Sequence, residues 1–505
     1  MQSTILICIT AVTFFAAPVL PVRLAAQDGT ARANKPKRHH YQLIDLGTFG
    51  GPDSSTQDEQ QVLNSRGMIA GSADTSIPNH ANACLFCSSL FISHAFRWRN
   101  GFLQDLGALP GHNSSGANWI TDGGLVAGFS ETDEIDPLVG GRQMHAVLWK
   151  NGHITDLGTL EGGYENVAFA VNSRGQVAGA GFNTIPDPFS FLGTQQRVFV
   201  WQNGIMQDVG TLGGPDAGLL GAPPVNKGNV EMNERGEVVA CSYIDSNPNP
   251  GTGLPTVDPF LWDSETGIHD LGGFGGTNGC AIYLNNRGQV VGYSNLPGDL
   301  TAHPFLWSKP GPMQDLGTLG GTFGFANWIN ESGEISGAAT TPGDQAVHAF
   351  FWKNGVMTDL GTLPGDLCSS SQAVNSRGQV IGQSSQLCDF QTDRAFLWES
   401  GAPMQDLNIL LVSGSSVQVS NAFDINNRGE ISAIGVLPNG DSHAIMLIPC
   451  DENHADIQGC DYSMVDVSTQ VPVRTVAPNV SRPMLPFSLW RRNNRFHFRA
   501  IHPKD

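Results

Sequence analysis

One short phrase, repeated along the chain, constrains this protein more than any other feature. Asp-(Leu/Val)-Gly, or Asp-Leu-Asn once, recurs with its aspartate at Asp45, Asp105, Asp156, Asp208, Asp270, Asp315, Asp359 and Asp406. The mean spacing is about 52 residues, the length of a four-stranded propeller blade with its loops. Three further signatures keep step with it. A turn of the form Asn-x-x-Gly returns at Asn64, Asn172, Asn233, Asn285, Asn330, Asn375 and Asn426, with Thr121 standing in for the second copy. A short apolar run such as Gln289-Val-Val-Gly292 follows it. The last signature is His-Ala-Phe-x-Trp, as at His94–Trp98 and His348–Trp352, with variants beginning at His145, Arg197, Asp258, His303, Arg394 and His443.

Each signature has a physical reading. Asn and Gly tolerate left-handed backbone, so Asn-x-x-Gly is expected to join the first two strands of a unit. Asn100-Gly101, Asn151-Gly152, Asn203-Gly204 and Asn354-Gly355 are two-residue hairpin signals between the Trp strand and the Asp-Leu-Gly strand. Strand alternation puts His94, Phe96 and Trp98 on one face, and pairing across the turn sets Asp105 opposite Phe96 and diagonal to His94. The pairs His94/Asp105, His145/Asp156, His303/Asp315 and His348/Asp359 are therefore expected to be structural, one per repeat. Arg197 and Arg394 can serve the same aspartate; Asp258 cannot.

The strand order predicts closure. Seven complete units run from about residue 60 to 407, and the eighth, 422–448, lacks its Asp-Leu-Gly strand. That strand sits alone at the start, Tyr41–Leu46. Docking it onto 443–448 closes a ring and leaves no open sheet edge. The fold expected is all-β, an eight-bladed β-propeller of four-stranded blades closed by the N-terminal strand, with seven blades or an open β-solenoid as alternatives. Composition agrees: Gly contributes 61 of 505 residues and charged residues only 14%, which favours strands and tight turns over helices.

The combination of His-Ala-Phe-x-Trp, Asp-Leu-Gly-Thr-Leu-Gly-Gly and Ile-Asn-x-x-Gly-x-Val-Val-Gly resembles the HAF-repeat extracellular proteins of bacteria. The resemblance covers about 41–448. It implies an exported repeat protein and, since the family carries no assigned reaction, transfers no catalytic residues.

The flanks fit export. Residues 1–26 read as a secretory signal peptide, with an apolar run from Ile5 to Leu20 and cleavage after Ala26. Residues 27–40 read as a flexible linker, 41–449 as the propeller, and 450–505 as a Pro-rich, basic tail, largely disordered. No other stretch is apolar for long enough to span a bilayer, so no transmembrane segment is expected in the mature chain. The location expected is extracellular, or periplasmic and cell envelope. Cysteine use agrees with an oxidising compartment: Cys368/Cys388, Cys450/Cys460 and Cys84/Cys87 are expected disulfides, the last competing with half of a zinc site. Cys241 and Cys280 fall on strand-like segments and read as buried thiols instead.

Chemistry is less legible. A formal charge of −19 opposes nucleic-acid binding. Gly-Gly at 50–51, 213–214 and 320–321 lacks a following Lys-Ser/Thr, so blade-to-blade crossovers are expected there rather than phosphate loops. The connection from the Val-Val strand to the Trp strand is long in units one to four and short in five to seven, so one rim is built up on one half. Within it, Glu131, Asp133, Glu134 and Asp136 form the densest acidic run, a candidate calcium set; no other cofactor is implied. Trp119 and Trp328, outside the repeated Trp layer, are candidates for stacking on a sugar. The function expected is a monomeric, non-catalytic propeller binding an extracellular glycan, peptide or surface protein through its loop-rich rim. The alternative is a secreted hydrolase or lyase acting on carbohydrate through loop carboxylates.

Overall fold

A computed structural model describes residues 37–56, 60–79, 83, 87, 89–111, 113–160, 162–190, 192–218, 230–388 and 393–466. The signal segment, most of the expected linker and the tail from residue 467 lie outside the described residues. Eight four-stranded antiparallel sheets form the ring of a β-propeller. Seven blades are continuous in sequence: 50–105, 115–158, 166–208, 231–270, 279–315, 324–359 and 368–406. The eighth takes three strands from 418–449 and its fourth from Tyr41–Asp45, which pairs Tyr41 with Pro449 and Asp45 with Ile445. The split repeat thus closes the ring.

Two boundaries differ from the sequence reading. Blade one opens earlier, at Gly50–Ser55, and its inner strand resumes at Leu63, which bridges to Ile69. The crossover into blade one shares its geometry with two others: Thr48 Oγ1 donates to the Gly51 carbonyl at 2.8 Å, as Thr211 does to Gly214 and Thr318 to Gly321. Gly50, Gly213 and Gly320 take φ of 101°, 126° and 105° in these crossovers, a region only glycine enters freely. Also, Lys37–His39 at the end of the expected linker pairs with Met464–Asp466 of the expected tail, so the propeller carries a two-stranded ribbon beyond its closing strand.

The turns divide the labour of the Asn-x-x-Gly phrase in a way the sequence did not suggest. Only the glycines, Gly67 through Gly429, have positive φ; the asparagines do not. Asn64 Oδ1 instead accepts from the N–H groups of Arg66 and Met68 within its own turn. Its Nδ2 donates at 2.9 Å to the Thr121 carbonyl of the next blade. The same reach joins Asn172 to Asn233, Asn233 to Asn285, Asn285 to Asn330, Asn330 to Asn375 and Asn375 to Asn426. Asn426 closes the circle onto the Asn64 carbonyl at 3.1 Å, across 362 residues of chain. Thr121 cannot reach Asn172, and there the belt is broken. In the Asn-Gly hairpins, by contrast, both residues are left-handed, as at Asn100 (48°) and Gly101 (81°), matching the strand twist.

Between the blades lies the core: Phe96, Phe199, Phe260, Phe305, Phe350 and Phe396 are fully buried, and six of the seven repeat tryptophans are buried with them. Disulfides add covalent ties. Cys368–Cys388 and Cys450–Cys460 have Cα separations of 5.0 and 5.4 Å. Cys241 and Cys280 are not free buried thiols but a bonded pair, 4.9 Å apart at Cα, because packing sets the second strand of blade four beside the inner strand of blade five. Cys87 is disulfide-bonded, whereas Cys84 lies outside the described residues.

Candidate functional site

The ring presents two faces. One carries the Asn-x-x-Gly turns and the hairpins between third and outer strands. The other, the rim face, carries the blade-to-blade crossovers and the connections between second and third strands. Blades one to three rise highest on the rim, and they do so as sheet rather than loop. Their second strands, Ile69–Pro78, Val126–Ile135 and Val177–Pro186, have ten residues each, against six in Val238–Tyr243 of blade four. The raised hairpins expose apolar side chains near their ends: Ile77, Leu90, Ile135, Leu138 and Ile185, with Leu90 84% exposed.

Beneath this crest the rim buries acid. Asp136 and Asp187 follow the raised second strands of blades two and three, and each Oδ1 accepts from a backbone N–H two residues on, Leu138 and Phe189. Glu165 and Asp216 hold the matching places at the start of the next blade. All four are buried. As carboxylates, Glu165 and the Oδ2 atoms of Asp136 and Asp187 have no donor. Burial, the adjacent Asp136 charge and hydrogen bond, and Glu131 push Glu165 up to about 9. Burial and the hydrogen bond with Asp187 push Asp216 up to about 8, against the opposing Gln196 N–H and Arg197. A proton on Glu165 and on Asp216 turns each repulsive pair into a hydrogen bond.

The expected calcium set does not assemble. Its run is the end of the strand Val126–Ile135, where the pairing slips between Glu131 and Ile135, and Asp136 lies just beyond it. Glu131 turns inward and accepts from the Ser114 N–H at 2.7 Å. Asp133 is exposed and pairs with Arg142 at 2.6 Å, Glu134 is exposed, and Asp136 joins Glu165. Among the described residues no group of three or more His, Cys, Asp or Glu side chains is arranged to hold a metal ion. Glu165 and Asp216, outside every sequence motif, were missed; the only trace was an acid two residues after Gly-Gly.

Trp119 and Trp328 are buried, 6% and 8% exposed. Trp328 stacks on Tyr283 at 3.9 Å between ring centroids. Tyr283 is raised by burial, with further contributions from Glu231 and Asp424 on other inner strands. Burial lifts Asp424 to about 7 against opposing backbone N–H bonds, including one from Leu63 at 3.0 Å.

The repeated polar pairs sit on the outer side of each blade. Nδ1 of His94 lies 2.9 Å from Asp105, His145 3.0 Å from Asp156, His303 2.8 Å from Asp315 and His348 2.9 Å from Asp359. His443 and Asp45 make the same pair across the closure, at 2.8 Å. Arg394 serves Asp406 at 3.1 Å, while Arg197 stands 3.7 Å from Asp208. Asp258 faces Asp270, and burial and that neighbour lift it to about 6.

No protein-family model and no curated protein matches the chain. Solved structures resemble it in fold alone. Dipeptidyl peptidase 4 of Porphyromonas gingivalis aligns over 80% of this chain and 60% of its own, with 9% identity and a TM-score of 0.45. The β-propeller domain of the Trilobed protease from Pyrococcus furiosus aligns over 64% and 91%, at 8% identity and 0.38. This chain spans half the length of the Pyrococcus horikoshii acylaminoacyl peptidase, matching it at 12% identity and 0.36 over 63% of its own residues. By its own sheet topology this chain is an eight-bladed β-propeller whose last blade is completed by Tyr41–Asp45.

Proposed function

We propose that this is an exported, non-catalytic propeller of the HAF-repeat type that binds a surface partner through the crest of blades one to three. The observation that carries the reading is the exposure of Ile77, Leu90, Ile135, Leu138 and Ile185 on hairpins that only these blades raise. Apolar side chains held out on rigid sheet are what a protein partner covers, and they are aliphatic where a sugar site uses aromatic rings. Disulfides in three blades and at the propeller's exit suit an oxidising compartment. Among the described residues no helix is long and apolar enough to cross a membrane.

The test is saturable binding of labelled mature protein to the producing cells. Replacing Ile77, Leu138 and Ile185 together by Ser is expected to weaken it about ten-fold or more without changing the melting temperature. Unchanged binding by that variant overturns the reading.

The second reading, a carbohydrate hydrolase or lyase, has one supporting observation: the buried, lifted carboxyl of Asp424, which together with Glu231 acts on the buried hydroxyl of Tyr283. Release of reducing ends from polysaccharide, abolished by Asp424→Asn, would establish it instead.

A further inference from the structure

We infer that the turn face between blades one and two is a binding site for a small ring carrying a single carboxylate, such as the uronate end of a glycan. The site is a cavity of about 250 Å³ whose lining includes Arg66, Arg97 and Arg99, with Met68 and Phe102 as its apolar part and Gly123 at its edge. Three arginines line one cavity in a chain with 27 Lys and Arg against 46 Asp and Glu. Among the described residues no carboxylate lies within ion-pairing distance of any of them.

The repeat shows that this cluster is a local departure. Arg97 occupies the variable place of His-Ala-Phe-x-Trp, where the other blades have Leu148, Val200, Leu261, Leu306, Phe351, Leu397 and Met446. It is held by two bonds, Nη1 to the Gly124 carbonyl at 2.9 Å and Nη2 to Gln104 Oε1 at 2.7 Å. At three other junctions the arginine of one turn lies over the glycine of the next: Arg174 over Gly236, Arg235 over Gly288, Arg377 over Gly429. At Gly124 that berth is taken by Arg97, and Arg66 is left lining the cavity. Gly123 stands where most turns have arginine, so no side chain from blade two fills the space.

The chemistry follows from these parts. Planar guanidinium groups with free N–H donors recognise a carboxylate in two-point fashion. Phe102, 69% exposed at the lip, offers a face to the carbon skeleton of a ring. The volume lies below the roughly 300–1,000 Å³ of ordinary ligand pockets, which limits the occupant to one ring. The acidic body repels a densely charged polymer, so an isolated charge is favoured.

The experiment titrates the purified protein with glucuronate, benzoate and glucose by calorimetry or ligand-observed NMR. Glucuronate is expected to bind saturably, about ten-fold or more weaker in Arg97→Leu, whose new residue the repeat already uses at that place, and in Arg66→Ser. Raising salt from about 50 to about 500 mM is expected to weaken it as well. Benzoate binding as tightly as glucuronate assigns the site to aromatic acids rather than sugars and overturns the glycan assignment. Glucose binding as well as glucuronate, or no saturable binding of either acid, overturns the site. Unchanged affinity in both variants does so too. These variants lie on the face opposite the crest, so the outcome is independent of the partner-binding reading.

Discussion

Glu165 shows how a single side chain can set the pH response of a ring this large. Its carboxyl titrates near 9 in the folded protein instead of near 4.5, because burial and Asp136 disfavour its charge. The native state therefore holds a proton that the unfolded chain releases, and stability falls as pH rises between those values. Asp216 adds to the same loss up to about 8. Asp105, Asp156 and Asp359 act in the opposite sense. Burial opposes their charge, but the bonds to His94, His145 and His348 and to the following glycine N–H prevail and hold them below the usual range. Their contribution is present above that range and is lost as pH falls through the depressed values. Thermal stability should peak near pH 4–5 and decline towards pH 9. Glu165→Gln keeps the shape and removes the charge, so it should add about 1–2 kcal/mol at pH 9 and almost nothing at pH 5. Melting curves at the two pH values check this; an equal effect at both would refute the protonated pair.

At the scale of the element, the four-residue turn is a joint between blades as well as between strands. Each asparagine closes its own turn with Oδ1 and clips the next blade with Nδ2. Thr121 closes its turn through Oγ1, which accepts from Leu125 N–H at 3.1 Å, but it is too short to clip blade three. Thr121→Asn should complete the belt and stabilise the ring by about 0.5–1.5 kcal/mol, the net worth of one hydrogen bond. Asn375→Ala should cost about 2 kcal/mol, because buried turn N–H groups lose their acceptor as well. Chemical denaturation measures both. A destabilised Thr121→Asn variant would mean that the second turn cannot accept the longer side chain.

The whole molecule depends on a strand that arrives from the far end of the chain. Removing residues 27–47 takes away Tyr41–Asp45, the His443–Asp45 pair and the ribbon with Met464–Asp466. Blade eight would then show an unpaired edge, Ser442–Pro449, of mostly buried apolar residues. Such an edge invites pairing with another chain. Aggregation, or a melting temperature lower by about 10 °C or more, is expected on scanning calorimetry and light scattering. A deletion that melts like the parent protein would show that closure contributes nothing to stability.

Sequence alone determined what repeats. A period, a turn phrase and an alternating Trp strand are local, so the blade, its strand order, the His–Asp partners and the closing strand at Tyr41 followed from spacing and β-geometry. The disulfide Cys368–Cys388 was legible for the same reason, since one hairpin holds both residues. What only the tertiary structure decided lies between blades. Cys241 and Cys280 are bonded because packing sets two blades side by side, a contact that strand spacing does not encode. Glu165 meets Asp136, and Asn426 meets Asn64, across such junctions. The acids of 131–136 are close in sequence but not gathered in space: Glu131 turns inward to the Ser114 N–H, Asp133 pairs with Arg142, and the partner of Asp136 comes from the next blade.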